Sequence, residues 1–596
     1  MRAFEHFPNL VAMFFARAAE KGDAPFLWAK IEGEWRATSW RETAEQVAAL
    51  ASGLNRIGLG RGDPVMLVSE NRPEWCIADL AIMAAGCITV PAYTTNTDRD
   101  HQHILDDSGA RAVIVSTRKL ARTVLAAAQR SSSCEHVIAI EPLATDQAGN
   151  IQQHDWAALI GAETPDVAAC AAGADFGRGD VACLIYTSGT GGAPRGVMQH
   201  HGAMLHNIEG CIDLIASDFG WDDEVFLSFL PLSHAYEHTG GQMFPIGLGA
   251  QIYYAEGIEK LASNIEETKP TIMVVVPRLF EVLRQRILKQ VEKQGRVARY
   301  LMKRALEIGA RDYAGNLPLL DRPMDFLLDR TLRPKIGARF GGRIKAMVSG
   351  GAPLNPEVGI FFHSLGLTFL QGYGQTEAAP VISCNRPKVG IKLDTVGPPL
   401  KNTEVRIAED GEILVRGELV MKGYWRNPGL TERTMAGGWL HTGDIGHVDA
   451  RGRIVITDRK KDLIVLDKGD NVAPQRVEGM LTLQHEIAQA MVSGDRRPYL
   501  VGLIVPEADW MADWAKANGK PKGLDALRDD PDFLQALGAA VDRVNAQLSV
   551  TEKVRRFILA DAPFTVENEQ LTPSVKIRRH VLRQVYGERL DALYRK

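Results

Sequence analysis

Short apolar runs recur through the first 350 residues, with stretches of helical periodicity between them. PVMLVSE (64–70), RAVIVST (111–117), VACLIY (181–186), TIMVVV (271–276) and IKAMVS (344–349) read as strands. Residues 41–57, dominated by Ala, Glu and Leu, predict a helix. A second helix is predicted over 278–310, where Leu283, Ile287 and Val291 recur at i, i+4 with Arg and Lys between them. Strand runs separated by helix-length segments point to an α/β fold with largely parallel sheets. After about residue 400 the pattern changes. EVRIAEDGEILVRG and GRIVITDRKKDLIVL predict β-hairpins with Asp-Gly and Arg-Gly turns. A small α+β unit with a strand at YLVGLIV (499–505) then runs to Lys596. The charged DRKKD between two apolar strands predicts a domain junction near 458–461, dividing the chain into 1–458 and 459–596.

A chain of 596 residues is too long for one core, and 45% hydrophobic with 24% charged residues exclude wholesale disorder. No apolar run approaches the roughly 20 residues that span a bilayer. Glu5 and His6 interrupt the N-terminus and no small-residue cleavage site follows, so a cytoplasmic location is expected. The seven cysteines are scattered without a CxxC pair, which argues against a zinc site or a disulfide framework. A net charge of −4 argues against nucleic acid as a partner. That charge is unevenly spread: Arg278 to Lys345 holds 17 Lys/Arg against 7 Asp/Glu. The block reads either as a solvated helical face or as a surface for an anionic membrane or a phosphorylated ligand.

The strongest local motif is IYTSGTGGAPRGVM, from Ile185 to Met198. Glycines bare backbone N–H groups, Thr187, Ser188 and Thr190 add hydroxyl donors, and Arg195 adds positive charge, which together suit a polyphosphate cradle. It is not a Walker loop, because Val197 and Met198 stand where Lys and Ser/Thr belong. VSGGAPLNPE (348–357) sets two glycines at a strand end. In QGYGQTEAAP (371–380), Tyr373 offers a flat face for a base, Thr376 a hydroxyl for a phosphate, and Glu377 a hard carboxylate for Mg2+. GGWLHTGDIG (437–446) presents Asp444 in a Gly-flanked turn, where a carboxylate suits a ribose.

The order of these motifs, with DRKKD and a near-terminal LTPSVK, resembles the adenylate-forming superfamily from about Thr38 to Arg579. FLSFLPLSHAYEH (226–238), VVVPRLFEVL (274–283) and GDRRPYLVGLIVP (494–506) look most like its bacterial long-chain fatty acyl-CoA synthetases. The resemblance implies a large N-terminal domain of stacked, mostly parallel sheets with flanking helices and a β-subdomain, followed by a small mobile C-terminal domain. It implies ATP-dependent activation of a fatty acid and transfer to CoA, with Mg2+. By that likeness Thr187, Ser188, Gly189 and Thr190 would hold the β- and γ-phosphates, beside the Arg195 charge that the loop itself supplies. Gly351, Ala352 and Pro353 with Gln371, Gly372 and Tyr373 would form the adenine slot. Thr376 would meet the α-phosphate, Glu377 the metal, and Asp444 with Arg459 the ribose. Lys576 would bridge the acid and α-phosphate during adenylation, Lys461 would be the hinge, and His234 would lie between the nucleotide and acyl sites.

Two positions depart from the family pattern: Gly191 stands where Thr is usual and Arg195 where Lys is usual. The first removes a hydroxyl, and the second exchanges a compact cation for a planar one. Alternative readings are a fatty acyl-AMP ligase, a carrier-protein ligase, or a non-catalytic nucleotide-binding homologue. Peripheral contact with the inner membrane face and oligomeric assembly are both compatible with the sequence.

Overall fold

A computed structural model describes residues 4–143, 151–162, 164–187, 193–460, 462–468, 470–572 and 576–595, together with the backbone but not the side chain of Arg278. Two eight-stranded sheets dominate. One runs in the order Val381–Cys384, Phe369–Gly374, Ala346–Ser349, Ile272–Val275, Val225–Ser228, Gln251–Tyr254, Pro25–Ile31, Glu34–Ser39. The other runs Gly423–Tyr424, Arg195–His200, Val181–Thr187, Ile88–Pro91, Pro64–Val68, Ala112–Val115, His136–Ala139, Gln152–Asp155. Their inner strands pair in parallel. Pro64–Val68 and Ala112–Val115 are buried at every position, which is why they are apolar without alternation.

Helices fill the space between and around the sheets. Trp40–Arg56 starts on a capping box, with Ser39 and Glu42 each satisfying the other's backbone N–H, and it buries Val47, Leu50 and Leu54. Its core cluster also takes side chains from Leu10–Lys21, Pro73–Ala84 and His201–Asp218 and from strands of both large sheets. The single helix expected over 278–310 is two, Pro277–Lys293 and Arg296–Tyr313. Gly295 separates them at φ 95°, a conformation that cannot continue a right-handed helix. A third helix, Arg322–Arg339, completes this insert against a phenylalanine-rich cluster around Phe280, Phe362 and Phe369.

Beyond residue 400 the chain forms a four-stranded antiparallel sheet in the order Glu404–Ile407, Glu412–Arg416, Leu440–Val448, Ile454–Arg459. The Asp410–Gly411 hairpin forms as expected, and the turn at Arg451–Gly452 closes the next one. Ile464–Val465, however, does not pair back onto Ile454–Arg459 but with Asn471–Val472. Past this point two hydrophobic clusters are built from residues after 463, around the sheet Ile487–Ser493, Leu500–Pro506, Val554–Leu559. None of the helices among the described residues is long and apolar enough to cross a membrane.

Candidate active site

The strands Val181–Thr187 and Arg195–His200 pair antiparallel, and their register sets Thr187 opposite Arg195 at the mouth of the hairpin. Ser188, Gly189, Thr190 and Gly191 lie outside the described residues. The hairpin stem is fixed from the side: the Tyr186 hydroxyl donates to Asp107 at 2.6 Å, and the Trp425 indole donates to the Asp107 carbonyl at 3.1 Å. Gly196 allows this packing, since a Cβ there would come within 3.2 Å of both Trp425 and Tyr186.

The next wall comes from the ends of parallel strands. Ala346–Ser349 runs into Gly350, Gly351, Ala352 and Pro353, with Gly351 at φ 81°. Phe369–Gly374 carries Gln371, Gly372 and Tyr373, and a short turn then presents Thr376 and Glu377. Gly374 is obligatory here, because a Cβ would lie 1.9 Å from the Pro380 carbonyl oxygen. Tyr373, Glu377 and the Thr376 carbonyl have remote partners. The Tyr373 hydroxyl donates to Asp444 Oδ2 at 2.5 Å, and Arg459 Nε lies 3.2 Å from Asp444 Oδ1. Strand register sets Asp444 directly across from Arg459. Burial holds the Asp444 carboxyl above the ordinary aspartate value, against the opposing pull of Arg459 and Tyr373. The Tyr424 hydroxyl donates to Glu377 Oε1 at 2.8 Å, and Gln199 Nε2 donates to the Thr376 carbonyl at 2.7 Å.

Lys576 approaches from the other side. Its backbone is tied to Thr572 by Thr572 N–H donating to the Lys576 carbonyl at 2.8 Å and Lys576 N–H donating to Thr572 Oγ1 at 3.0 Å. The side chain is exposed toward the cleft and forms no ion pair among the described residues. Surrounding protein, then Arg459, push its ammonium down to about 8, with Asp444 and Glu377 acting in the opposite direction. His234 Nδ1 accepts from Tyr236 N–H at 3.1 Å, which leaves its proton on Nε2. Burial, then the Lys576 charge, push His234 down to about 4, so the imidazole is neutral near pH 7.

One cavity of about 1840 Å³ is lined by Thr187, Arg195, His234, Gly351, Ala352, Pro353, Gln371, Gly372, Tyr373, Thr376, Glu377, Asp444, Arg459 and Lys576. Lys461 lies outside the described residues. The same cavity is also lined by the apolar side chains Leu214, Ile215, Phe244, Ile272, Val274 and Val381, which we refer to as its apolar arm. Gly240 and Gly350 line the cavity, but Gly241 does not: its α-carbon abuts Glu237, whose carboxylate a Cβ would meet at 2.4 Å. His238 is a packed core histidine, fully buried, with Nε2 2.7 Å from Asp79. The motif reading missed Tyr424 and Gln199, whose roles arise from pairing across the chain; an aromatic in the Gly-flanked KGYWRN segment was the available signal.

The donor set fits a nucleotide and a hard cation. Gln371 Oε1 and Gln375 Nε2 are buried without a partner among the described residues, on side chains that line the cavity, and are an acceptor and a donor for a base edge. Among the described residues no cluster of three metal-binding side chains occurs. Mg2+ is commonly held by one or two carboxylates together with substrate phosphates, and Glu377 supplies such a carboxylate.

A family model described as AMP-binding enzyme matches residues 14–425, and one described as AMP-binding enzyme C-terminal domain matches residues 461–596. The chain is 32% identical to long-chain-fatty-acid–CoA ligase FadD15 of Mycobacterium bovis, over 99% of this chain and 97% of that protein. It is 29% identical to long chain acyl-CoA synthetase 1 of Arabidopsis thaliana, over 100% of this chain and 92% of that one. Among solved structures it superposes on the adenylation domain of a carboxylate reductase from Mycobacterium chelonae with a TM-score of 0.75 at 23% identity, covering 99% of this chain and 92% of that one.

Proposed function

The chain belongs to the AMP-binding enzyme family, and from that premise we propose that it activates a fatty acid with ATP to acyl-AMP and passes the acyl group to CoA, releasing pyrophosphate and then AMP. One observation carries the reading: the polar residues of the cradle, Lys576 and the apolar side chains Leu214, Ile215, Phe244, Ile272, Val274 and Val381 all line a single cavity. Leu214, Ile215, Phe244, Ile272, Val274 and Val381 supply the apolar lining that an alkyl chain requires.

In this reading Thr187 and Arg195, with Ser188, Gly189 and Thr190, hold the β- and γ-phosphates. Gln371 meets the base edge, while Gly351, Ala352, Pro353, Gly372 and Tyr373 shape its slot. Asp444 and Arg459 hold the ribose, and Thr376 meets the α-phosphate. Mg2+ at Glu377 would neutralise phosphate charge. The fatty-acid carboxylate oxygen attacks the α-phosphorus and the bond to the bridging oxygen of pyrophosphate breaks. Two anions approach each other in this step, and the Lys576 ammonium offsets the charge that develops. His234, neutral and donating from Nε2, orients the carboxylate at the junction of the arm and the cradle. In the second step the CoA thiolate attacks the acyl carbon and AMP leaves as the carbonyl reforms. Lys576 has no counterpart task there, and we propose that the small C-terminal domain turns about Lys461 to clear the path.

The test is CoA ligation across acids from acetate to long-chain and aryl acids. Each buried CH2 contributes about 0.8 kcal/mol, so kcat/KM should climb with chain length to a plateau. Highest activity on acetate or a coumarate-type acid would overturn the substrate assignment. Adenylate that accumulates and does not turn over with CoA would point to an acyl-AMP or carrier-protein ligase.

A further inference from the structure

The helical insert has an outward face that lies apart from the cleft. Of twelve large apolar side chains exposed among the described residues, six fall between Val297 and Leu327. Four of these, Leu319, Leu320, Phe326 and Leu327, gather at the turn into the helix Arg322–Arg339. Leu320 is 92% exposed and Leu319 73%. The same helix buries Leu328 and Ile336 in the phenylalanine-rich cluster and packs Met324 and Leu332 against it. Its inner face is therefore apolar already, and Phe326 with Leu327 give it a second apolar face toward solvent, where an ordinary surface helix is polar.

Charge in this segment is sorted rather than mixed. Asp321 is buried and taken up by Arg304 at 2.7 Å and Arg311 at 2.5 Å. Asp325 and Asp329 both pair with Arg333 at 2.7 Å. Arg322 and Arg330 form no ion pair among the described residues, and the Arg330 guanidinium lies 4.4 Å from the centre of the Phe326 ring. Asp321, Asp325 and Asp329 are thus each paired within the insert, while Arg322 and Arg330 stand beside exposed apolar side chains.

We propose that this turn docks on an anionic lipid bilayer, with Leu319, Leu320, Phe326 and Leu327 entering the boundary of headgroups and acyl chains and Arg322 and Arg330 meeting lipid phosphates. The occupant follows from charge: a block with 17 Lys/Arg against 7 Asp/Glu, in a chain of net charge −4, complements an anionic surface. None of these six residues lines the catalytic cavity, so the surface stands apart from the acyl chemistry.

The experiment is flotation of the purified full-length protein with vesicles of phosphatidylcholine alone or mixed with phosphatidylglycerol, at low and at physiological ionic strength. The wild type should float with the anionic vesicles and be partly stripped by salt, since screening acts over about 8–10 Å. Leu320→Asp with Phe326→Asp should lower the vesicle partition at least tenfold. Arg322→Glu with Arg330→Glu should abolish the preference for anionic lipid. Val550→Asp, at a site in the small unit that is 72% exposed, should bind as the wild type does, and melting curves should match across all variants. Equal recovery with neutral and anionic vesicles, or unchanged flotation of the leucine and phenylalanine variant, would overturn the proposal. So would sedimentation showing a dimer that the variant dissolves, with no vesicle binding by either. Because flotation reads lipid binding without substrate, its failure leaves the proposed acyl activation untouched, and the reverse also holds.

Discussion

On the wall built before residue 460, each key polar group is fixed by a partner from far along the chain: Tyr373 by Asp444, Glu377 by Tyr424, the Thr376 carbonyl by Gln199. Lys576 is instead held locally, through Thr572 and a bridge between Leu571 and Ile577, and its ammonium forms no ion pair among the described residues. The difference separates two physical tasks. A nucleotide is best held by groups already fixed before it arrives, because their ordering then costs nothing on binding. A charge needed in one of two steps is best carried on an element that can leave, and an unpaired ammonium leaves without breaking an ion pair.

Among changes to the fixed wall, removing its central carboxylate should have the largest effect. Asp444→Ala leaves the Tyr373 hydroxyl and Arg459 without their partner and should lower kcat/KM for ATP by about 10²-fold, the scale of losing charge-assisted hydrogen bonds worth ~1.5–3 kcal/mol each. An unchanged KM and kcat for ATP would erase the contrast between the walls. The pH dependence of adenylation probes the other side. With Lys576 at about 8, its ammonium is present below that pH and lost above it, so kcat/KM should fall as pH rises through about 8. Arg459 is one of the groups pressing this pKa down, so Arg459→Ala should move the falling limb to higher pH in whatever activity it retains. A limb that persists unchanged in Lys576→Ala would assign it to another group.

The apolar arm offers a milder test. A Cβ at Gly240 would lie 3.1 Å from Val274, so Gly240→Val should shorten the arm and shift preference toward shorter acids by several-fold while leaving ATP KM unchanged. The smallest effect is expected at Tyr424→Phe. It frees one Glu377 oxygen and should lower kcat by about 2–10-fold, from a hydrogen bond worth ~0.5–1.5 kcal/mol.

Legibility in the sequence followed the range of the interactions. Pro64–Val68, Val181–Thr187 and Trp40–Arg56 are set by local apolar pattern and a capping box, and they lie where the pattern puts them. The break at Gly295 escaped a reading that followed only Leu283, Ile287 and Val291, because periodicity on either side resumes at once. Hairpin logic pairs Ile464–Val465 with Ile454–Arg459 because it cannot see the competing strand at Asn471–Val472. In the cleft, motif order pointed to Asp444, Glu377 and Tyr373 as residues. That Tyr373 is buried with its hydroxyl on Asp444, and that Tyr424 reaches Glu377, depends on pairings between segments 47 and 71 residues apart. Ser188, Gly189, Thr190 and Lys461, all expected to act, lie outside the described residues.

The contrast between the walls is tested most directly by separating the half-reactions in Lys576→Ala. Acid-dependent pyrophosphate exchange measures adenylation, and conversion of supplied acyl-adenylate with CoA measures thioester formation. Adenylation should fall by about 10²–10³-fold, the scale for removing one charge-stabilising group, while thioester formation proceeds at close to the wild-type rate. Equal loss of both half-reactions in a variant that melts like the wild type would contradict the account, as would adenylation that survives intact.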